Sequence, residues 1–290
     1  METYIDSSIL PADQMASFKE HGFAIIRKYL PEDCLSLADG IMQDWHEEQI
    51  RQWIKEGLIG HNFSGVDLRH RLFQAWLAAG KPNFRRDPQR NLINEKMFRL
   101  LKHPALVGLA EQLLETPDVY VHGIFNARLK FGGQAHTATP WHQDGQLWNY
   151  HDKGERQNPE KKMVLTVWFP LYDSDVRNGG LRLASYQDCG GKCYPVHEHP
   201  YHGGIAPEIT QSFKNIDSEM KRGDVLCLMQ LTPHCALENK TDSPLLTFDI
   251  RYESPENLTD SGQPRGFLAQ CKSAPEKETP CKEWLDRLKS

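Results

Sequence analysis

Apolar residues in the first 116 positions recur every three or four places, whereas after Pro117 they recur every second place. That change of period predicts helices first and strands afterwards. Pro11 to Glu20 reads as a short helix closed by His21-Gly22, followed by a strand over Phe23-Ala24-Ile25-Ile26. From Pro31, with Glu32 and Asp33 in the first turn, a long helix is predicted to about Glu56-Gly57. Its stripe of Ala38, Ile41, Met42, Trp45, Ile50, Trp53 and Ile54 should face a core. Further helical stretches cover Leu68 to Ala79, broken by Gly80-Lys81-Pro82, and Asn94 to Leu114, interrupted at His103-Pro104. His46, His61, His70 and His103 fall on polar helix faces or in turns and are expected to be structural or solvated.

The alternating pattern begins at Val119 and runs to Lys130. Further strands are predicted over Trp141 to Asp144, Met163 to Leu171, Gly180 to Leu183, Asp224 to Met229, His234 to Leu237 and Leu245 to Tyr252. Short strands that follow helices, with no helical pattern between them, suggest an antiparallel sandwich or jelly roll with helices packed on one outer face. The expected organisation is one α+β domain over 1–290: helical support over 1–116, a mainly β core over 117–253, and a tail over 254–290. The tail is expected to pack loosely, although Trp284 and Leu288 suggest a short final helix docking on the body.

With 290 residues, 39% hydrophobic and 25% charged, the chain can bury a full core. A formal charge of −5 and scattered lysines and arginines argue against a nucleic-acid partner. No apolar run approaches the ~18 residues that would span a bilayer, and the start Met-Glu-Thr-Tyr-Ile-Asp is acidic, so no membrane association and a cytoplasmic location are expected. The seven cysteines are dispersed, as reduced thiols would be, and Cys189 and Cys193 have no second pair nearby to complete a zinc site.

The candidate chemistry lies in Pro140-Trp141-His142-Gln143-Asp144-Gly145 and a distant histidine, His234. On a strand His142 and Asp144 would point to one face and Gln143 to the other. Two imidazoles and one carboxylate form the facial triad that suits non-haem Fe(II) and leaves positions open for a co-substrate and O₂. His-X-Asp is also a common chance triplet, and His234 is one of 13 histidines, so the residues alone leave coincidence open.

Arg128-Leu129-Lys130, the Pro140 to Asp144 segment, Thr166-Val167-Trp168, Asn178-Gly179-Gly180-Leu181, Gly223-Asp224-Val225, His234 with Asn239, and Phe248-Asp249-Ile250-Arg251-Tyr252 follow one another along the chain. In this order and spacing the sequence resembles the phytanoyl-CoA dioxygenase-like branch of the Fe(II)- and 2-oxoglutarate-dependent oxygenases, from His21-Gly22-Phe23 to Arg265. The resemblance implies a double-stranded β-helix (jelly roll, cupin-like) and iron ligation by His142, Asp144 and His234. It also implies that Lys130, Trp168 and Thr247 help hold 2-oxoglutarate. The implied reaction is hydroxylation of a small molecule with release of succinate and CO₂. The related halogenases lack the carboxylate ligand, so Asp144 argues against halogenation.

Two departures stand out. The family usually carries an arginine about eleven residues after the second metal histidine, to bind the distal carboxylate of 2-oxoglutarate; here that position is Leu245. Lys130 is the first candidate for a substitute cation, ahead of Arg128 and Arg182, although by itself it also reads as a surface strand lysine. Arg251, roughly 13 Å along the strand from Thr247, is expected to serve the core or an ion pair. The other departure is Ser185-Tyr186-Gln187-Asp188, where relatives commonly carry Pro-Gly-Ser-His. Leu245 keeps open a second reading, a non-catalytic or 2-oxoglutarate-independent metal-binding relative. Trp148, Tyr150 and His151 are candidates for a substrate wall. The His197, His199 and His202 loop reads as a polar surface loop, a second metal site or a contact for an anionic substrate.

Overall fold

A computed structural model describes residues 10–82, 84, 92–146, 163–197, 203–260, 262–263 and 265–289. The helices are α1 (Ala12–His21), α2 (Glu32–Lys55), α3 (Leu68–Ala78), α4 (Glu95–Leu101), α5 (Pro104–Leu114), the single turn α6 (Pro207–Thr210) and α7 (Cys281–Lys289). Their starts follow local capping chemistry. Asp67 accepts from the His70 amide at the head of α3, Asn94 accepts from Met97 N at α4, and His103 accepts from Ala105 N at α5, where Pro104 occupies the first turn.

The strands are β1 (Phe23–Ile26), β2 (Asp118–Val121), β3 (Asn126–Lys130), β4 (Thr139–His142), β5 (Val164–Pro170), β6 (Leu181–Leu183), β7 (Ile216–Asp217), β8 (Val225–Met229), β9 (His234–Ala236), β10 (Leu245–Glu253) and β11 (Phe267–Cys271). They form two antiparallel sheets. The larger runs β1-β8-β5-β10-β2-β11, with β3 also pairing β10, and the smaller runs β4-β9-β6-β7. This is the double-stranded β-helix that the motif order implied. The predicted continuous strand from Val119 to Lys130 is instead two strands on one edge. β3 pairs Leu245 to Asp249 of β10 while β2 pairs Tyr252 and Glu253, and the chain between them is held by the bond from His122 N to Arg251 O.

Alternation on the central strands sorts the core. Val167, Phe169, Leu246, Phe248, Ile250 and Tyr252 face outward and merge with the helices, including Ile41, Trp45, Leu101 and Leu106, into one buried cluster. Their neighbours Thr166, Trp168, Leu245, Thr247, Asp249 and Arg251 face inward, toward the space between the sheets. Every residue of β10 is buried, so its polar face looks onto a cavity and not onto water.

Three expectations change. The α2 stripe is buried as predicted except for Ile54, which is 38% exposed. His46, expected on a polar face, is fully buried, because α2 packs against α3 and α4 as well as the main core; burial drives its pKa down to about 3 and keeps it neutral. His103 is buried as the cap of α5, a structural role as expected. The tail is not loose, because β11 extends the larger sheet beside β2; the final helix docks as expected, with Trp284 of α7 fully buried against Phe98 and Phe267. Among the described residues no helix is long and apolar enough to cross a membrane, and Cys34, Cys193, Cys227, Cys235, Cys271 and Cys281 are unbridged.

Candidate metal centre and co-substrate cavity

His142 ends β4 and His234 begins β9, and the two are cross-strand partners with ring centroids 4.2 Å apart. Asp144 does not reach the site as a third strand residue. The strand stops at His142, and Asp144 opens a helical turn that is anchored by the bond from Gly145 N to Gln230 O, 2.8 Å. Gln143 turns away, as predicted, and its amide bonds Leu231 O, Lys192 O and Tyr194 N. One ligand atom from each of His142, Asp144 and His234 lies within 4.8 Å of the others.

The donor set fits a metal ion. His142 Nδ1 is 2.8 Å from Pro140 O and His234 Nδ1 is 3.0 Å from Thr232 O, so each Nδ1 donates to a carbonyl and Nε2 is left as the ligand atom. Burial, with His234 next in weight, pushes the His142 pKa down to about 3, so the ring is neutral and ready to ligate. On Asp144, Oδ2 accepts from Thr166 Oγ1 at 2.6 Å and Arg251 Nε at 3.1 Å, while Oδ1 accepts from Arg251 Nη2 at 3.1 Å. A carboxylate offers about four lone-pair sites, which leaves one on Oδ1, the oxygen 3.9 Å from His142 Nε2.

Burial alone would raise the Asp144 pKa. The Arg251 guanidinium, then His234 and His142, overcome that and hold the carboxyl well below the usual carboxylate range. Arg251 thus serves an ion pair, as expected, but one that grips the predicted metal carboxylate. Its Nη1 also reaches Asp249 Oδ1 at 2.8 Å; Asp249 accepts further from Asn126 Nδ2 at 2.6 Å and from Arg128 Nε at 2.5 Å. A chain of alternating charge, Asp144, Arg251, Asp249, Arg128, therefore runs along the cavity floor. Alternating polar residues on β10 were its signal in the sequence, but their partners belong to distant strands.

Lys130, Trp168 and Thr247 line the same cavity as His142 and His234. Lys130 is not a surface lysine. It is 6% exposed, stands in register opposite Leu245, and donates from Nζ to Gly179 O at 2.9 Å and Leu237 O at 2.8 Å. Gly179 adopts φ +95°, and a Cβ there would come within 3.0 Å of Lys130 Cδ, so glycine both permits the backbone turn and makes room for the lysine stem. Desolvation first, and Arg128 next, bring the Lys130 pKa down to about 7. Arg182 is excluded as a cavity cation because it pairs with Asp217 of β7 at 2.6 Å, away from the lining. The segment Ser185 to Asp188 enters a short 3₁₀ turn in which Ser185 Oγ accepts from Gln187 N. His197 bridges Gly204 through the backbone, whereas Trp148, Tyr150, His151, His199 and His202 lie outside the described residues.

Comparison with known proteins agrees with this fold. A local match of 51% identity over 61 residues links the chain to the L-proline trans-4-hydroxylase of Streptomyces griseoviridis, covering 20% of this chain and 21% of that protein. The match therefore spans about a fifth of the curated relative. Among solved structures, the apo non-heme monooxygenase ThoJ superposes with a TM-score of 0.60 at 19% identity, covering 96% of this chain and 94% of that one. EctD from S. alaskensis with bound Fe gives 0.58 at 16%, covering 89% and 82%. The epimerase SnoN, in complex with Fe3+, alpha ketoglutarate and nogalamycin RO, gives 0.52 at 17%, covering 88% and 84%. These likenesses establish the fold. The model of the phytanoyl-CoA dioxygenase (PhyH) family matches residues 18–244, most of the sequence, and the chain belongs to that family.

Proposed function

We propose that this protein is a single-domain, Fe(II)- and 2-oxoglutarate-dependent oxygenase that hydroxylates a small-molecule substrate with release of succinate and CO₂. The observation that carries the proposal is the placement of two imidazoles, one ionised carboxylate and a buried lysine with no carboxylate partner around one cavity. His142, His234 and Asp144 would hold the metal through two Nε2 atoms and Oδ1. Lys130 would take the distal carboxylate of 2-oxoglutarate in place of the arginine that Leu245 replaces. Thr247 offers a hydroxyl on the same face, and Trp168 supplies an apolar wall that limits water.

When bound, iron with 2-oxoglutarate supplies the oxidising power, and the protein's contribution is orientation and exclusion of water. Arg251 keeps Asp144 ionised, Arg251 and Thr166 fix its orientation, and Pro140 O and Thr232 O keep both imidazoles oriented. The local relative is named for hydroxylating L-proline, which supports a small substrate.

The test is anaerobic. Adding 2-oxoglutarate to the Fe(II) protein should produce a visible charge-transfer band, and Asp144→Ala should abolish it. No band, together with no succinate under air, would favour the second reading that Leu245 raises, a metal-binding relative that does not use 2-oxoglutarate.

A further inference from the structure

The cavity holds more positive charge than its co-substrate explains. Among the described residues, Arg128, Lys130 and Arg251 bring three cations to it, against two carboxylates, Asp144 and Asp249. Fe(II) and doubly ionised 2-oxoglutarate would cancel one another, leaving one positive charge uncompensated in the cavity. A cation that is only partly solvated favours a counter-ion, so a second, singly charged anion is the natural occupant.

The residue that would receive it can be picked out by elimination. Arg251 is committed on every edge: Nε and Nη2 to Asp144, Nη1 to Asp249 and Ile124 O. Lys130 is held by two carbonyls beside Leu245. Arg128 is fixed by one edge only. Its Nε donates to Asp249 Oδ2, and no hydrogen bond from Nη1 or Nη2 to any described residue is present. The side chain remains 29% exposed, it lines the cavity opposite Thr247, and its charge is felt at His142, after burial, His234 and Asp144.

We propose that Arg128 is the substrate-recognition residue, its free Nη edge receiving a carboxylate of the substrate, so that the substrate class is small monocarboxylic acids of net charge −1. This rests on the oxygenase reading above. Asp249 holds the guanidinium by Nε and leaves the remaining fork preorganised, which is how arginine binds carboxylates in two parallel hydrogen bonds. One uncompensated charge favours a carboxylate over a phosphate, which would bring close to two negative charges.

The experiment uses the anaerobic Fe(II) protein loaded with 2-oxoglutarate and a panel of small monocarboxylic acids that carry no amine, linear, branched, cyclic and aromatic, each against its neutral amide. Binding is read as a perturbation of the charge-transfer band, and coupling as substrate-dependent succinate under air. At least one acid should bind about tenfold or more tightly than its amide. Arg128→Gln should remove that preference while leaving 2-oxoglutarate affinity, measured below neutral pH where Lys130 is protonated, within about twofold, and Arg128→Lys should restore part of the preference. If no acid in the panel binds, if acid and amide bind alike, or if Arg128→Gln weakens 2-oxoglutarate instead, the proposal is wrong. The acid and amide comparison is made on the unaltered protein, so it decides the matter even if both variants fail to fold. Absence of the band in the unaltered protein is a different result, one that overturns the co-substrate reading and this proposal together.

Discussion

Leu245 and Lys130 face one another in register across β10 and β3, and the Lys130 ammonium is anchored on Gly179 O and Leu237 O. A positive charge missing from one strand is thus offered by its neighbour, at the same level of the sheet and on the same inward face. Lys130→Met should therefore weaken 2-oxoglutarate binding by about tenfold or more, since a carboxylate in a dry site loses its counter-ion. Adding Leu245→Arg to that variant should restore much of the loss. Anaerobic titration of the charge-transfer band measures both, and unchanged affinity in Lys130→Met would refute the assignment.

The same lysine predicts a pH dependence. Its pKa is brought down to about 7, chiefly by burial, and only the protonated form holds a carboxylate. Below that value the cation is in place and affinity should be level. Above it, binding must take up a proton, and 2-oxoglutarate affinity should fall by about tenfold per pH unit until the raised pKa of the liganded lysine is reached. Lys130→Met should bind weakly without this step. Affinity that stays constant as the pH of the unaltered protein rises past neutrality would count against a titrating lysine.

Arg251 should behave as a positioning residue for Asp144. Arg251→Met removes two hydrogen bonds from Asp144 and one from Asp249 and leaves two buried carboxylates without that guanidinium. The metal-free protein should lose about 3–5 kcal/mol of stability. Part of this should return when a divalent metal supplies a new partner for Asp144. Urea unfolding with and without metal checks both statements; a variant as stable as the parent would mean that the pair contributes little.

The C-terminal segment should be integral to stability. Trp284 is fully buried, donates from Nε1 to Arg265 O at 2.8 Å, and packs on Phe98 and Phe267. Trp284→Ala should cost about 3–5 kcal/mol, measured by denaturant unfolding. A loss below about 1 kcal/mol would fit a loosely packed tail instead.

Much of the architecture could be read from the chain because it rests on local properties. The switch from a period of 3.6 to a period of 2 marked where helices end and strands begin. Capping residues such as Asp67 and Asn94 marked helix starts, and His142, Asp144 and His234 stood out as ligand types with the family's spacing around them. Other features depend on which segments meet in space, and no window of sequence contains both partners. The Asp144 and Arg251 pair joins positions 107 residues apart. Alternation on β10 shows a polar face, but whether that face meets water or a cavity is decided by the second sheet lying over it. His46 is buried by a second layer of packing on α2, and Phe267 to Cys271 becomes a strand because β2 leaves an edge open for it. Sequence alone determined which groups were available for chemistry. Only the tertiary structure decided their protonation, their partners and the side of the sheet from which Leu245 loses a charge and Lys130 supplies one.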